Sequence, residues 1–456
     1  MGKARPYRVA VGVGLTLLAS VFAFLHLGTP SWFIDEVFSV QTSVSPLGDV
    51  YGHVRHLETS PPGYFWLLHE WAGRAGLTDE AGFRALSAIA GVALALCVWW
   101  VGDQVADPPV GAIAGVLTAL SPFVVQYEQL ARPYALLMLA LAIAVAAAMR
   151  ARTDARWLVV CALATVAALW VHYTAWVAVL PLCAWVALDR RHSARARAAF
   201  VLAGLAGGAV WLPLAHHQFT TYPNGGELPG IADLTPANLL TTVAGPFEGR
   251  HPLGDVLRGI GVATVLGGLV AFAACRSIEA RRRGLILSLA ILPLVALVLL
   301  GAAGKDIVIP RYAAEGIPFT LVALGAALAR SPRPVAILLA AGTAVVGGSG
   351  LVAGERRGAF YADARGAVRT IAADARPGDA VVTTGRLVVD YPFRYYAVAG
   401  LPRGVRVIQP PLRAHPPRLW LLSTGGAAPP GYRLARFRHL AGDPPIDVLL
   451  LETTAR

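Results

Sequence analysis

Eleven apolar runs, most of them near the twenty residues that carry a helix across a bilayer core, constrain this chain more than anything else in it. They cover residues 9–27, 83–101, 110–125, 133–149, 157–171, 174–188, 198–215, 256–275, 284–303, 312–329 and 335–353. Backbone groups in lipid must be satisfied within the segment, so runs of this length imply helices. Composition agrees. Of 456 residues, 56% are hydrophobic and 14% charged, with a mean hydropathy of +0.58, whereas a soluble domain carries about a quarter charged residues. The expectation is an all-α polytopic membrane domain.

Charge sets the expected orientation. The fifth and sixth runs are only 15 residues each, but Arg150, Arg152 and Arg156 precede the pair while Arg190, Arg191, Arg195 and Arg197 follow it. Two basic flanks belong on one side, so two crossings lie between them. With the N-terminus cytoplasmic, sixteen Lys and Arg fall on inner segments. Six fall on outer loops: Arg55, Arg74, Arg132, Arg250, Lys305 and Arg311. The first run follows Lys3, Arg5 and Arg8 with no small-residue cleavage site, which suggests a retained helix rather than a removed signal. A multi-pass plasma-membrane protein with an extracytoplasmic C-terminus is expected. The net charge of +12 then reflects inner-loop arginines, and no nucleic-acid partner is expected. Cys97, Cys161, Cys183 and Cys275 all lie inside apolar runs without a CxxC spacing, so neither a disulfide frame nor a thiolate metal site is indicated.

The organisation divides at the last run. Residues 1–353 form the membrane part, whose outer loop 28–82 holds a mixed wet and apolar stretch broken by Pro61-Pro62-Gly63. That pattern suggests two interfacial helices. Residues 354–456 carry fifteen arginines against eight acids, with short apolar runs between turn signals. Strands are expected at 380–383, 405–408, 419–422 and 448–451 and a helix at 363–374, a small α/β domain outside the membrane.

Candidate chemistry gathers on the outer side. Asp35-Glu36 are adjacent carboxylates among Trp32, Phe33 and Phe38, an environment that suits a general base. Glu128, Arg132 and Tyr134 lie between the third and fourth runs, where Glu128 and Arg132 have the i,i+4 spacing of a structural pair. His172 and Tyr173 end the fifth run; Lys305, Arg311 and Tyr312 precede the tenth, with Glu315 just inside it. Carboxylates beside cations at one depth suit a reaction between a hydroxyl and an anionic lipid. An ion pump would rather place its ionisable groups mid-membrane.

On these residues the chain resembles the GT-C superfamily of polyprenyl-phosphate-sugar glycosyltransferases, and is similar to bacterial relatives of protein O-mannosyltransferases and aminoarabinose transferase. The carriers are Asp35-Glu36, the segment Thr59-Ser60-Pro61-Pro62-Gly63-Tyr64 with Leu67-Leu68-His69, Tyr127-Glu128 through Arg132-Pro133-Tyr134, and Pro310-Arg311-Tyr312. Arg376-Pro377-Gly378-Asp379 and Phe393-Arg394-Tyr395-Tyr396 are similar to the outer domain of some members. Ser60 stands where the family commonly has His.

The resemblance implies inverting transfer of mannose or another hexose or pentose from a polyprenyl-phosphate donor to a hydroxyl of a protein, lipid or glycan. It implies Asp35 as base and Glu36 orienting the acceptor or a cation. It further implies Arg132, Lys305 and Arg311 neutralising the departing phosphate, with Tyr134, His172 and Tyr312 as supporting donors. Glu128 and Tyr173 would line the same donor site, and Glu58, Pro61, Pro62 and Tyr64 belong to the interfacial loop. Some relatives use a divalent metal and others do not, which leaves a divalent cation open, with Asp35 and Glu36 as its candidate ligands and no cofactor certain. Two other classes stay open: a flippase for lipid-linked sugars, and a non-catalytic cell-wall assembly protein. The enzyme reading expects donor turnover to survive deletion of residues 354–456.

Overall fold

A computed structural model describes residues 4–222, 232–249, 253–356, 361–383, 386–408, 416–425, 429–442 and 444–454. Lys3 and Arg250, both used in the charge count, lie outside them. The first part of the chain is helical throughout: α1 (Ala4–Phe24), α2 (Ile34–Val44), α3 (Leu47–Leu57), α4 (Gly63–Ala75), α5 (Glu80–Val105), α6 (Pro108–Ala119), α7 (Pro122–Glu128), α8 (Tyr134–Ala151), α9 (Trp157–Val171), α10 (Ala175–Ala187), α11 (Ala194–Ala209) and α12 (Leu212–Thr221). It continues with α13 (Pro236–Val243), α14 (Asp255–Ala274), α15 (Ala280–Ala302), α16 (Ile317–Arg330), preceded by a 3-10 turn at Pro310–Gly316, and α17 (Arg333–Arg356).

Every apolar run expected from the sequence carries a helix. Among the described residues eight helices are long and apolar enough to cross a membrane, nine if α6 and α7 count as one bent span, while α9 and α10 are shorter. The 59° bend between α6 and α7 has a local cause. Ser121 caps α7 by accepting the Val124 N–H at 3.4 Å, and Pro122 occupies the position after it. Proline there has no N–H to lose at the first turn but ends the helix before it. The Ser121 hydroxyl also donates to the Pro246 carbonyl at 2.6 Å.

Two compact units can be distinguished. The first comprises residues 1–25, 42–77 and 83–354. Within it α8 and α16 are buried along most of their length. Lipid tails are as apolar as leucine, so the helices associate through close packing of small residues rather than by escaping water. Alanine fills much of α8, and Gly325 of α16 sits against the Ala114 backbone of α6. A Cβ on Gly111 of α6 would lie 2.5 Å from the Trp99 carbonyl of α5, and one on Gly102 would lie 2.8 Å from Gly111 Cα. The helices α3 and α4 flank Pro61-Pro62 as their sequence suggests.

The second unit comprises residues 26–41, 78–82 and 355–456. It thus draws in both ends of the 28–82 loop, which a sequence division at 353/354 leaves entirely with the membrane part. Its frame is α18 (Ala364–Ala372), β1 (Ala380–Val382), α19 (Leu387–Gly400), β2 (Arg406–Ile408), β3 (Arg418–Ser423), β4 (Tyr432–Leu440) and β5 (Ile446–Thr453). The strand order is β2-β1-β3-β5-β4; β1 is parallel to β2 and β3, and β5 is antiparallel to β3 and β4. In α18, Ala364, Ala367, Val368 and Ile371 recur with helical spacing and pack with Phe393 of α19 and Trp420 of β3. Asp379, nearly buried, accepts the Trp420 indole N–H at 3.0 Å and pairs with Arg418 at 3.2 Å.

Two elements were not legible as expected. The strand β4 reads Tyr-Arg-Leu-Ala-Arg-Phe-Arg-His-Leu and is exposed over most of its length, with a register shift between Leu434 and Arg436 that breaks the alternation. An edge strand with two wet faces gives no period-2 apolar signal. The helix α19 carries Pro392 inside it, which hides its periodicity.

The α5–α6 contact yields a direct test. Gly111→Leu should destabilise the purified protein by about 1–3 kcal/mol, read as a lower Tm in detergent, whereas Gly48→Ala, with nothing nearby, should leave Tm unchanged.

Candidate functional site

In the first unit, the residues singled out between the spans converge. Arg132 precedes α8 and is nearly buried; its Nη1 donates to both oxygens of Glu58, at 3.0 and 3.1 Å. Glu58, 4% exposed, closes α3 just before the double proline. This pair replaces the i,i+4 pair that the sequence suggested. Glu128 instead lies buried against Gly91 of α5, where a Cβ would meet its carboxylate at 2.0 Å. The Ser87 hydroxyl donates to the Arg132 carbonyl at 3.3 Å, holding the turn before α8 from a third helix.

An aromatic ladder runs alongside. Ring centroids are 4.5 Å apart for Phe123–Tyr127, 4.7 Å for Tyr127–Tyr134, 5.4 Å for Tyr134–His172 and 6.4 Å for His172–Tyr312. The Arg311 guanidinium lies 5.7 Å from the Tyr312 ring centroid. Tilted and edge-on ring pairs of this kind are favoured by the aromatic quadrupole and fix one another's orientation.

His172 is the electrostatic marker of the cluster. Burial, with the positive charges of Arg132 and Arg311 adding to it, pushes its pKa down from 6.5 to about 3. Its Nδ1 accepts the Thr174 backbone N–H at 3.3 Å and lies 3.0 Å from the Thr174 hydroxyl. A neutral imidazole accepting at Nδ1 carries its proton on Nε2. The ring is therefore a neutral hydrogen-bond donor between two cations. Glu315, also buried, lies on the Thr174 side of this arrangement.

Other expected members have different employment. Tyr173 donates from its hydroxyl to Gln218 at 2.8 Å, and Gln218 in turn donates to the Val54 and Ser60 carbonyls at 2.8 and 3.3 Å. Tyr173 thus braces the Pro61-Pro62 segment through α12. Tyr64 is fully buried, edge-on to Phe65. Gly63 opens α4 so closely against α9 that a Cβ would lie 2.5 Å from the Trp170 carbonyl. Lys305 is exposed at the end of α15, past Gly304, whose φ of +80° favours glycine. Next to Gly63 and Val171, α4, α8 and α9 leave an apolar groove of about 470 Å³ lined by Leu67, Leu139, Ile143, Leu163 and Trp170.

The acid pair belongs to the second unit. Asp35 and Glu36 stand in the first turn of α2, where carboxylates favour the positive end of the helix dipole. Glu36 is fully buried and accepts the Phe33 N–H at 3.0 Å, satisfying a backbone donor that the helix start leaves orphaned. Asp35 is partly exposed, and its carbonyl accepts the Ser39 hydroxyl at 3.1 Å. The two neighbours thus differ in burial: Glu36 is fully buried and Asp35 is not. Among the described residues no group of three or more His, Cys, Asp or Glu could hold a metal ion. With Glu36 buried and capping, the pair is a poor ligand set for a divalent cation, which prefers six or more oxygens.

Two outcomes follow. In the folded protein, ¹³C-labelled His172 should show no protonation between pH 8 and pH 4.5, and Arg311→Gln should move its titration upward; a midpoint near 6.5 in the wild type would refute the buried neutral ring. Because the folded value lies below the unfolded one, the stability this ring contributes is complete above about pH 6.5 and is lost as pH falls toward 3. Separately, Glu58→Ala should cost about 3–5 kcal/mol by stranding the Arg132 charge, and Glu58→Gln appreciably less, both read by thermal unfolding.

Comparison with known proteins bears on the fold and on part of the chain. A family model described as dolichyl-phosphate-mannose-protein mannosyltransferase matches residues 59–216, a span that includes Arg132, Tyr134 and His172. No curated protein sequence matches the chain significantly. Among solved structures, ArnT from Cupriavidus metallidurans bound to undecaprenyl phosphate superposes with a TM-score of 0.55 at 12% identity, covering 97% of both chains. The Archaeoglobus fulgidus oligosaccharyltransferase tethered with an acceptor peptide containing the NVT sequon superposes with a TM-score of 0.54 at 13% identity. That match covers 88% of this chain and 63% of the archaeal one. At such identities the structures speak to the fold. The chain therefore shares the fold of these membrane proteins, and residues 59–216 match the mannosyltransferase family model.

Proposed function

We propose that the protein transfers a sugar, mannose or another hexose or pentose, from a polyprenyl phosphate to a hydroxyl acceptor at the outer face of the plasma membrane, with inversion at the anomeric carbon. The observation that carries this reading is the grouping of Arg132, Arg311 and a neutral His172 beside an apolar groove. Two cations and an N–H donor suit a phosphate, and the groove suits the hydrocarbon chain attached to it. The family matched by residues 59–216 is described as dolichyl-phosphate-mannose-protein mannosyltransferase, and ArnT binds undecaprenyl phosphate; both favour a lipid-phosphate donor here.

In this mechanism Asp35 takes the acceptor proton as the hydroxyl oxygen bonds to the anomeric carbon. The bond between that carbon and the phosphate oxygen breaks, and its electron pair leaves with the lipid phosphate. Arg132 and Arg311 oppose the charge gathering on that oxygen, and His172 donates from Nε2. Fixed donors aimed at developing charge contribute about 10²–10³-fold each. Glu36 keeps the helix start intact and so holds Asp35 in place, rather than touching substrate. The N-terminus is cytoplasmic in this proposal, which follows from the excess of inner-loop arginines.

Purified protein given a panel of radiolabelled polyprenyl-phosphate sugars should release sugar from at least one. Asp35→Asn should lower kcat by about 10²–10⁴-fold without lowering Tm. Arg311→Gln should lower kcat/KM by about 10²-fold. A flippase needs the same cations but no base, so an Asp35→Asn protein that still moves its lipid at the wild-type rate would defeat the transferase reading.

A further inference from the structure

We infer that the C-terminal domain positions the acid pair, through a clasp in which Tyr396, Glu80 and Arg365 hold the strap leading into α2. The inference rests on the reading of Asp35 as general base and adds what sets its place. Residues 28–33 form no helix or strand, so their backbone groups need other partners. The tail supplies them. Arg365 donates from Nη2 to the Gly28 and Thr29 carbonyls at 3.2 and 2.7 Å. The Trp32 N–H donates to the Tyr396 hydroxyl at 2.9 Å. Ser31 donates to Asp363, the N-cap of α18, at 2.9 Å and accepts the Arg365 N–H at 3.2 Å.

Glu80 locks these contacts together. Nearly buried, it pairs with Arg365 Nη1 at 2.9 Å and accepts the Tyr396 hydroxyl proton. Burial and the Glu80 charge push the Tyr396 phenol well above its ordinary pKa, so it stays a hydroxyl that accepts from Trp32 while donating to Glu80. Aromatic contacts extend the grip along the strap and helix: Phe33 stacks on Tyr361 at 4.6 Å, and Phe38 meets Tyr391 at 5.1 Å. The strap ends at Phe33, and Asp35 follows within one turn.

The consequence differs from what the sequence suggested. A tail that merely flanked the membrane part would be dispensable for donor turnover, whereas a tail that seats the base is not. A displacement of about 1 Å in a reacting group can cost 10²-fold in rate.

The test uses the full-length chain in nanodiscs, comparing Tyr396→Phe and Glu80→Gln with wild type. Amide hydrogen exchange over residues 32–40 should quicken by about tenfold, the equivalent of one lost hydrogen bond. With the radiolabelled polyprenyl-phosphate sugar that wild type turns over fastest, kcat should fall by about 10–10²-fold while donor KM stays put. Arg438→Ala, on the exposed strand β4, is the control and should change neither. Unchanged exchange in both variants, or quickened exchange with wild-type kcat, overturns the inference. Wild-type kcat in Asp35→Asn removes the general-base reading instead, and leaves the exchange result standing as evidence for the clasp alone.

Discussion

An arginine placed among apolar helices must find a partner, and Arg132 finds Glu58, 74 residues earlier in the chain. Much of the first unit is arranged so that this pair can form. The double proline after Glu58 turns the chain from α3 into α4, and Gly63 lets α4 start directly against the end of α9. Gln218, held by Tyr173, braces the Val54 and Ser60 carbonyls on either side of Glu58. A desolvated carboxylate and guanidinium tolerate one another only in good geometry, so the surrounding backbone has to be fixed. Burial keeps His172 neutral, with the charges of this same cation and of Arg311 adding to it.

The second unit solves a different problem. An irregular strap carries exposed backbone donors and acceptors, which cost free energy unless paired. Arg365 and Tyr396 pair some of them, Asp363 holds the Ser31 side chain, and Glu80 joins Arg365 to Tyr396. The adjacent carboxylates differ in burial: Glu36 is fully buried and accepts the Phe33 N–H, while Asp35 is partly exposed.

Much of the membrane part could be read directly. Apolar length marked the long helices but not α2 or α13, and the 3-10 turn at Pro310 and the break at Pro122 follow from proline's missing N–H. The cluster was legible as a set of residue types placed on one side by topology. Its pairings were not: i,i+4 spacing suggested Glu128 for Arg132, but Glu128 turns into the space left by Gly91. Spacing along one helix predicts neighbours on that helix only, and Arg132 stands at the mouth of several. Tyr173 looked like a companion of His172 because they are adjacent, yet it reaches Gln218 instead. In the tail, strands with buried faces were visible and the exposed β4 was not, since only burial imposes alternation.

The sequence by itself determined that this chain is a multi-helix membrane protein with an arginine-rich α/β tail, because hydrocarbon tolerates few charges and no unpaired backbone. It also determined which side chains had chemistry to offer. Only the tertiary structure decided that Glu58 answers Arg132, that His172 is buried between two arginines, and that residues 26–41 fold with the tail. Those choices depend on which distant groups meet once solvent is excluded, and desolvation is a property of the assembled site that no local stretch of sequence carries.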